Sequence, residues 1–167
     1  MGHGVKQRDV IKMSTEEIDA FLGGRRSMTM STIAPDGTIH SVAMWYGLVD
    51  GAPVFETKAK SQKVKNLRRD PRITCLVEDG DYYEELRGVE LVGEAEIVED
   101  MDYLRRVGIS VFERYYGAWS DEMEPALAAM LNKRVAVKVN VHKVVSWDHS
   151  KLGLPSTRPA AGAPESE

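Results

Sequence analysis

The chain has 167 residues, 43% hydrophobic and 29% charged, enough apolar material for one core and one ordinary domain. Its 22 Lys and Arg against 26 Asp and Glu exclude a basic face long enough to follow a nucleic-acid backbone, and it contains no run of about 18 apolar residues able to cross a membrane. One cysteine excludes an internal disulfide, and polar residues interrupt the opening "MGHGVKQRDVIKM" where a secretory signal needs an apolar stretch, so a cytoplasmic protein with neither nucleic acid nor membrane as partner is expected.

The first predicted element is a helix over 14–22. Ser14 and Glu17 stand at capping-box spacing, Ile18, Phe21 and Leu22 share one face, and Gly23-Gly24 stops it. Three β segments are predicted between Ser27 and Thr57, separated by Pro35-Asp36-Gly37 and by Asp50-Gly51, both of which carry hairpin-turn chemistry. Antiparallel strands in a meander follow from that pattern.

Lys58 to Arg72, "KAKSQKVKNLRRDPR", then carries seven basic residues and one acid, leaving 15 basic against 25 acidic residues elsewhere. Positive charge confined to so short a stretch points to a local anion site. Ser61 is a natural N-cap, Val64 and Leu67 fall on one face, and Asp70-Pro71 ends the segment, so a helix from Ser61 to Arg69 is predicted. Its first turn offers free backbone N–H groups, the Ser61 hydroxyl and Lys63, with Lys58 and Lys60 arriving from the preceding loop. This assembly suits a phosphate monoester, at roughly 1.5–3 kcal/mol for each charge-assisted contact. Lys65, Arg68 and Arg69 are expected to face solvent.

"RITCLVEDG" and "LRGVELVGEAEIV" read as strands, with Val89, Leu91, Ala95 and Ile97 at period two and Gly93 marking a bulge. Cys75 reads as a buried small apolar residue rather than a nucleophile. "GDYYEE" is a hairpin loop whose tyrosines line either a substrate mouth or a dimer contact. Leu104, Val107, Val111 and Tyr115 have helical spacing, "DEMEPALAAMLN" is a further helix, and "RVAVKVNVHKVVSWDH" closes the sheet. Trp147 reads as packing. Residues 1–154 are expected to form a single domain, and the small, polar, Pro-rich 155–167 a disordered tail.

The fold class expected is therefore mainly β with α additions (α+β): a closed or nearly closed barrel of short antiparallel strands. His3, His40, His142 and His149 lack metal-ligand spacing, so no metal site is expected. His40 and His149 read as turn or surface residues ahead of proton donors. No nucleophile elbow, Walker loop or dinucleotide fingerprint is present.

The stretch "DGTIHSVAMWYGLVDGAPVFETKAKSQKVKNLRRDPRITCLVE" resembles the central block of the pyridoxamine-phosphate-oxidase-like split β-barrel proteins, and more closely their flavin/deazaflavin oxidoreductase group B, many of which use coenzyme F-420. The Asp36-Gly37 turn, "SVAMWY" from Ser41, the Ser61-x-Lys63-x-x-Asn66-Leu67 pattern and "RRDPR" carry the likeness, which extends over Ser27–Leu152. The resemblance implies an FMN-binding-like split barrel, a homodimer with cofactor sites at the subunit interface, and a small-molecule hydride acceptor. It implies that the ring lies along Ser41, Val42, Ala43 and Met44, and that Thr57, Lys58, Ser61, Gln62, Lys63 and Asn66 surround the phosphate. Arg87, in "LRG", would then cover the ring from the partner chain. No catalytic side chain is required, because the cofactor carries the hydride. Met44, Trp45 and Tyr46 would shape an apolar wall.

One departure concerns the cofactor. Flavin-binding oxidases of this kind often place an arginine at the start of the ring-binding strand, where this chain has "IHSVAMW". That favours F-420 over FMN. The implied activity is an F-420-dependent reduction of a hydrophobic unsaturated acceptor such as an enone, quinone or tetrapyrrole. The alternatives are an FMN-dependent oxidase or reductase and a non-catalytic flavin, deazaflavin or haem binder.

Overall fold

The computed structural model describes residues 6–24 and 27–159. Seven antiparallel strands form one curled sheet: β1 (Met28–Ile33), β2 (Ile39–Met44), β3 (Gly47–Val49), β4 (Ala52–Lys58), β5 (Arg72–Asp79), β6 (Arg87–Val98) and β7 (Arg134–Asp148), in the order β2-β1-β5-β6-β7-β4-β3. The two edge strands, β2 and β3, follow one another in the chain yet do not pair. Trp45 and Tyr46 join them across the split. Five helices accompany the sheet: α1 (Gln7–Ile11), α2 (Thr15–Gly23), α3 (Gln62–Arg69), α4 (Met101–Tyr115) and α5 (Glu124–Leu131). The expected split β-barrel is the observed fold.

Local chemistry accounts for most element ends. Ser14 and Glu17 form the reciprocal capping box at the start of α2, with the Ser14 N–H donating to Glu17 at 2.6 Å. Asp50 (φ 52°) and Gly51 (φ 76°) both take the left-handed region that a two-residue hairpin with right-twisted strands requires. The region from Ser27 to Thr57 holds four strands where three were expected. The extra break falls at Trp45-Tyr46, where tertiary packing takes the chain out of the sheet. The bulge expected at Gly93 is present as a register shift between Val92 and Gly93.

Two apolar cores flank the sheet. Inside the barrel, Met28, Met30, Tyr46, Phe55, Cys75, Val77 and Val89 are fully buried. On the opposite face of β3, β4 and β7, helices α4 and α5 cover Val54 and Ala136 with Leu104, Val107 and Leu127. This double covering explains why β4 and the start of β7 are apolar on both faces, while β1, β2 and β5 alternate. Truncating Leu104 to Ala would cost about 2–5 kcal/mol. Cys75 is buried, and burial pushes its thiol pKa up to about 12. Trp147 lies across Gly88 so closely that an added Cβ would sit 2.3 Å from its ring, which excludes any larger residue there.

Residues 155–159 form no helix or strand. Thr157 nevertheless donates its N–H and hydroxyl to Glu84, and Arg158 bonds to Glu85 at 2.8 Å while lying over the Tyr82 ring. The remaining tail positions, 160–167, and His3 lie outside the described residues.

Candidate functional site

Helix α3 closes one end of the barrel, and the site grows from its first turn. Val64 and Leu67 anchor its apolar face in the core. Ser61 occupies the N-cap position, but its hydroxyl does not cap the helix. That oxygen is buried and has no hydrogen-bond partner. Its backbone is committed instead, the N–H donating to the Lys58 carbonyl at 3.0 Å and the carbonyl accepting from Lys65 at 3.1 Å. The N–H groups of Gln62, Lys63 and Val64 lack intrahelical acceptors, as in any first turn, and carry the positive end of the helix dipole.

Two strand ends bring further cations to this turn. Lys58 ends β4 opposite Arg134, which begins β7, and Ala59 N–H donates to the Lys133 carbonyl at 3.0 Å. A cavity of about 690 Å³ opens there, lined by Lys58, Ala59, Lys60, Asn132 and Lys133. Among the described residues no acid pairs with Lys58, Lys60, Lys63 or Lys133. Arg134 is engaged, 2.7 Å from Glu56. Burial, and next the neighbouring Arg134 charge, lower the Lys63 pKa, while Glu56 opposes the shift. Burial likewise raises the Glu56 pKa against the pull of Arg134. A half-desolvated ammonium, an orphaned hydroxyl and free N–H groups together fit a dianionic oxygen ligand such as a phosphate ester.

The other residues expected at the site fall into separate groups. Gln62 is exposed and donates to Asn66 at 2.8 Å. Asn66 is fully buried and donates to Thr32 of β1 at 3.0 Å, so its amide is spent on joining α3 to the sheet. Thr57 is buried on the barrel side of β4. On β2, Val42 and Met44 pack against the core, while Ser41 and Ala43 point outward in a row with Ile39. Ser41 shares a hydrogen bond with Ser31 at 2.8 Å. Thr32 pairs with His40 of β2, so α3 is tied through Asn66 to β1 and, one strand further, to β2. Arg87 stands at the opposite end of β6 from this turn, 2.8 Å from Asp79 and over the Phe21 ring, and does not join the set within one chain.

Of the expected apolar wall, only Trp45 is exposed. Tyr46 is completely buried, with its hydroxyl donating to the Leu22 carbonyl at 2.6 Å. Lys133, Arg134 and Glu56 carry no local mark of a site, because they reach the turn through the pairing of β4 with β7. The only local signal was two adjacent cations opening an apolar strand, "KRVAVKV". Among the described residues no three His, Cys, Asp or Glu side chains converge, and no helix is long and apolar enough to cross a membrane.

No curated protein matches the chain. Among solved structures it is similar to the conserved hypothetical protein Rv2991 of Mycobacterium tuberculosis, at 52% identity and a TM-score of 0.89 over 95% of this chain and 99% of that one. An F420 reductase aligns at 28% identity and a TM-score of 0.57 over 75% of this chain and 94% of that one. The heme storage protein HutZ of Vibrio cholerae, at 15% identity and a TM-score of 0.63 over 80% and 96%, shares the fold. Residues 14–148 match the pyridoxamine 5'-phosphate oxidase family, and this chain belongs to that family.

Proposed function

We propose that this protein is an F-420-dependent oxidoreductase that passes a hydride from reduced deazaflavin to a hydrophobic unsaturated acceptor. The carrying observation is the buried, unpartnered Ser61 hydroxyl at the head of α3, with Lys63 in the same turn and a cavity lined by Lys58, Lys60 and Lys133 next to it in the chain and the sheet. Similarity to an F420 reductase supports the same reading.

When bound, the deazaflavin supplies the hydride. The Ser61 hydroxyl, the first-turn N–H groups and Lys63 hold the phosphate, and Lys58, Lys60 and Lys133 add more positive charge than one phosphate requires. Ser41 and Ala43 keep the outward face of β2 low enough for a flat ring to approach the backbone. Val42 and Met44 fix the strand by their grip on the core, and Ser31 fixes the Ser41 hydroxyl. The outward face of β1, β2, β5 and β6 holds a further cavity of about 480 Å³, with Ile39, Thr74 and Val92 among its lining. A second copy of the chain covers this face in the proposed homodimer and brings Arg87 to the ring. The setting is cytoplasmic.

The test is titration of purified protein with F-420 and with FMN, read by tryptophan quenching, followed by oxidation of the reduced cofactor with a panel of acceptors. Saturable F-420 binding with faster oxidation in the presence of protein is expected. Binding of FMN alone favours the flavin-dependent alternative, and cofactor binding without faster oxidation favours a carrier. Sedimentation at micromolar concentration tests the dimer.

A further inference from the structure

The outward row of β2 ends at Trp45, and there the surface changes from small side chains to rings. Trp45 lies parallel to Tyr115, centroids 4.3 Å apart and planes 5° from parallel, and Tyr116 meets it edge-on at 5.4 Å and 74°. Phe112 backs Tyr116 at 5.2 Å and meets Trp119 at 5.6 Å. Five of the chain's 3 Trp, 6 Tyr and 3 Phe are thus gathered where the edge strand leaves the sheet.

Core packing accounts for Tyr115 and Trp119, which lean on the core beneath α4 and α5, but not for the outer rings. Trp45 is 47% exposed and Tyr116 66%, whereas Tyr46, the next residue after Trp45, is fully buried. The rings are also held firmly from beneath. The Tyr115 hydroxyl accepts the Tyr46 backbone N–H at 3.3 Å. Arg114 lies 4.2 Å over the Tyr46 ring and donates to the carbonyls of Leu22 at 2.9 Å and Gly24 at 2.6 Å, tying the end of α4 to the end of α2. With its guanidinium engaged this way, the shelf presents two neutral aromatic surfaces at a steep angle to one another.

An acceptor must approach within van der Waals contact of the hydride donor, about 3–3.5 Å. For a ring lying on Ser41 and Ala43, a bulky acceptor extends along the same row onto Trp45. We propose that Trp45 and Tyr116, with Tyr115 behind them, select a neutral, planar, conjugated acceptor of the quinone type over compact non-aromatic enones. This inference rests on the deazaflavin reading and adds the recognition surface to it. Stacking and edge contacts reward a flat π-system and give a small enone nothing beyond hydrophobic cover.

The experiment is calorimetric titration of the full chain, with and without F-420, using a methylated naphthoquinone and cyclohexenone as probes. Wild type, Trp45→Ala, Trp45→Phe and Tyr116→Ala are compared, with thermal melts as the folding control. Naphthoquinone affinity is expected to fall roughly three- to tenfold in each alanine variant, the range of one lost aromatic contact, and to recover in Trp45→Phe. Cyclohexenone affinity should stay within about twofold. Equal losses for both probes overturn the inference, as does a wild type that binds naphthoquinone in neither arm. A wild-type dimer that dissociates in the variants also overturns it, because the shelf is then a contact between copies. Failure to bind F-420 at all refutes the cofactor reading instead, and the cofactor-free arm still decides the shelf.

Discussion

The two halves of the basic segment are used in opposite ways. From Lys58 to Lys63 the cations form no ion pair among the described residues and flank in sequence a buried hydroxyl that nothing satisfies. From Arg68 to Arg72 every arginine is engaged: Arg68 with Glu99, Arg69 with the Ile33 carbonyl, and Arg72 with Asp70 at 2.6 Å. The Arg72 guanidinium holds the Asp70 carboxyl down at about 2. Six of the segment's seven positive charges therefore fall into one cluster of lysines at the head of the helix and one set of arginine braces at its end. The difference lies in which acids and carbonyls the fold brings alongside, and charge density alone does not reveal it.

That contrast breaks first at Lys63. Lys63→Ala should weaken binding of the phosphorylated cofactor by roughly one to two orders of magnitude, the loss of one charged hydrogen bond, as read by calorimetry. The unliganded melting temperature should not fall, because the lysine is desolvated beside Arg134. A large stability loss with unchanged affinity would move Lys63 into the bracing half. Asn66→Ala should behave in the opposite sense, costing about 1–3 kcal/mol in denaturant unfolding by stranding the buried Thr32 hydroxyl, and affecting the cofactor only through the fold.

Ser61→Ala removes an oxygen that contributes nothing to the empty protein. Cofactor affinity is expected to drop about five- to tenfold while stability stays level or rises, since a buried unsatisfied group disappears. The pH dependence sharpens the same point. The Lys63 pKa is lowered in the fold, so the unfolded chain binds that proton more tightly, and the unliganded protein gains stability as pH rises from the lowered value toward 10.5. Phosphate binding favours the charged ammonium. Affinity should therefore fall as pH rises through that same lowered value, and Lys63→Arg should flatten the profile.

The smallest effects belong to the braces and the tail. Arg68→Ala should change stability by about 0.5 kcal/mol, as expected of an exposed ion pair, and leave affinity untouched. Truncation after Leu154 loses the contacts of Thr157 and Arg158 with Glu84 and Glu85, and should lower the melting temperature only slightly. Loss of folding would show that the strap holds the Tyr82–Glu85 turn in place.

Much of this was legible from local pattern. The α2 capping box, the Asp50-Gly51 hairpin, the Gly93 bulge, the Asp70-Pro71 stop and the burial of Cys75 all depend on residues within a few positions of one another. The sequence by itself determined most of the strands, the helix behind the lysines and the concentration of charge at its start, because backbone preference and side-chain period act over a turn or two; the break at Trp45-Tyr46 it did not. Tertiary structure alone decided that Arg134 and Lys133 stand beside Lys58, that Tyr46 is buried while Trp45 is not, and that Tyr115 and Tyr116 meet Trp45. Those neighbours lie about 70 residues apart in the chain. Strand pairing and helix packing across that separation leave no periodic trace in one sequence, so only the curled sheet with its packed helices assembles the lysine cluster and, separately, the aromatic shelf.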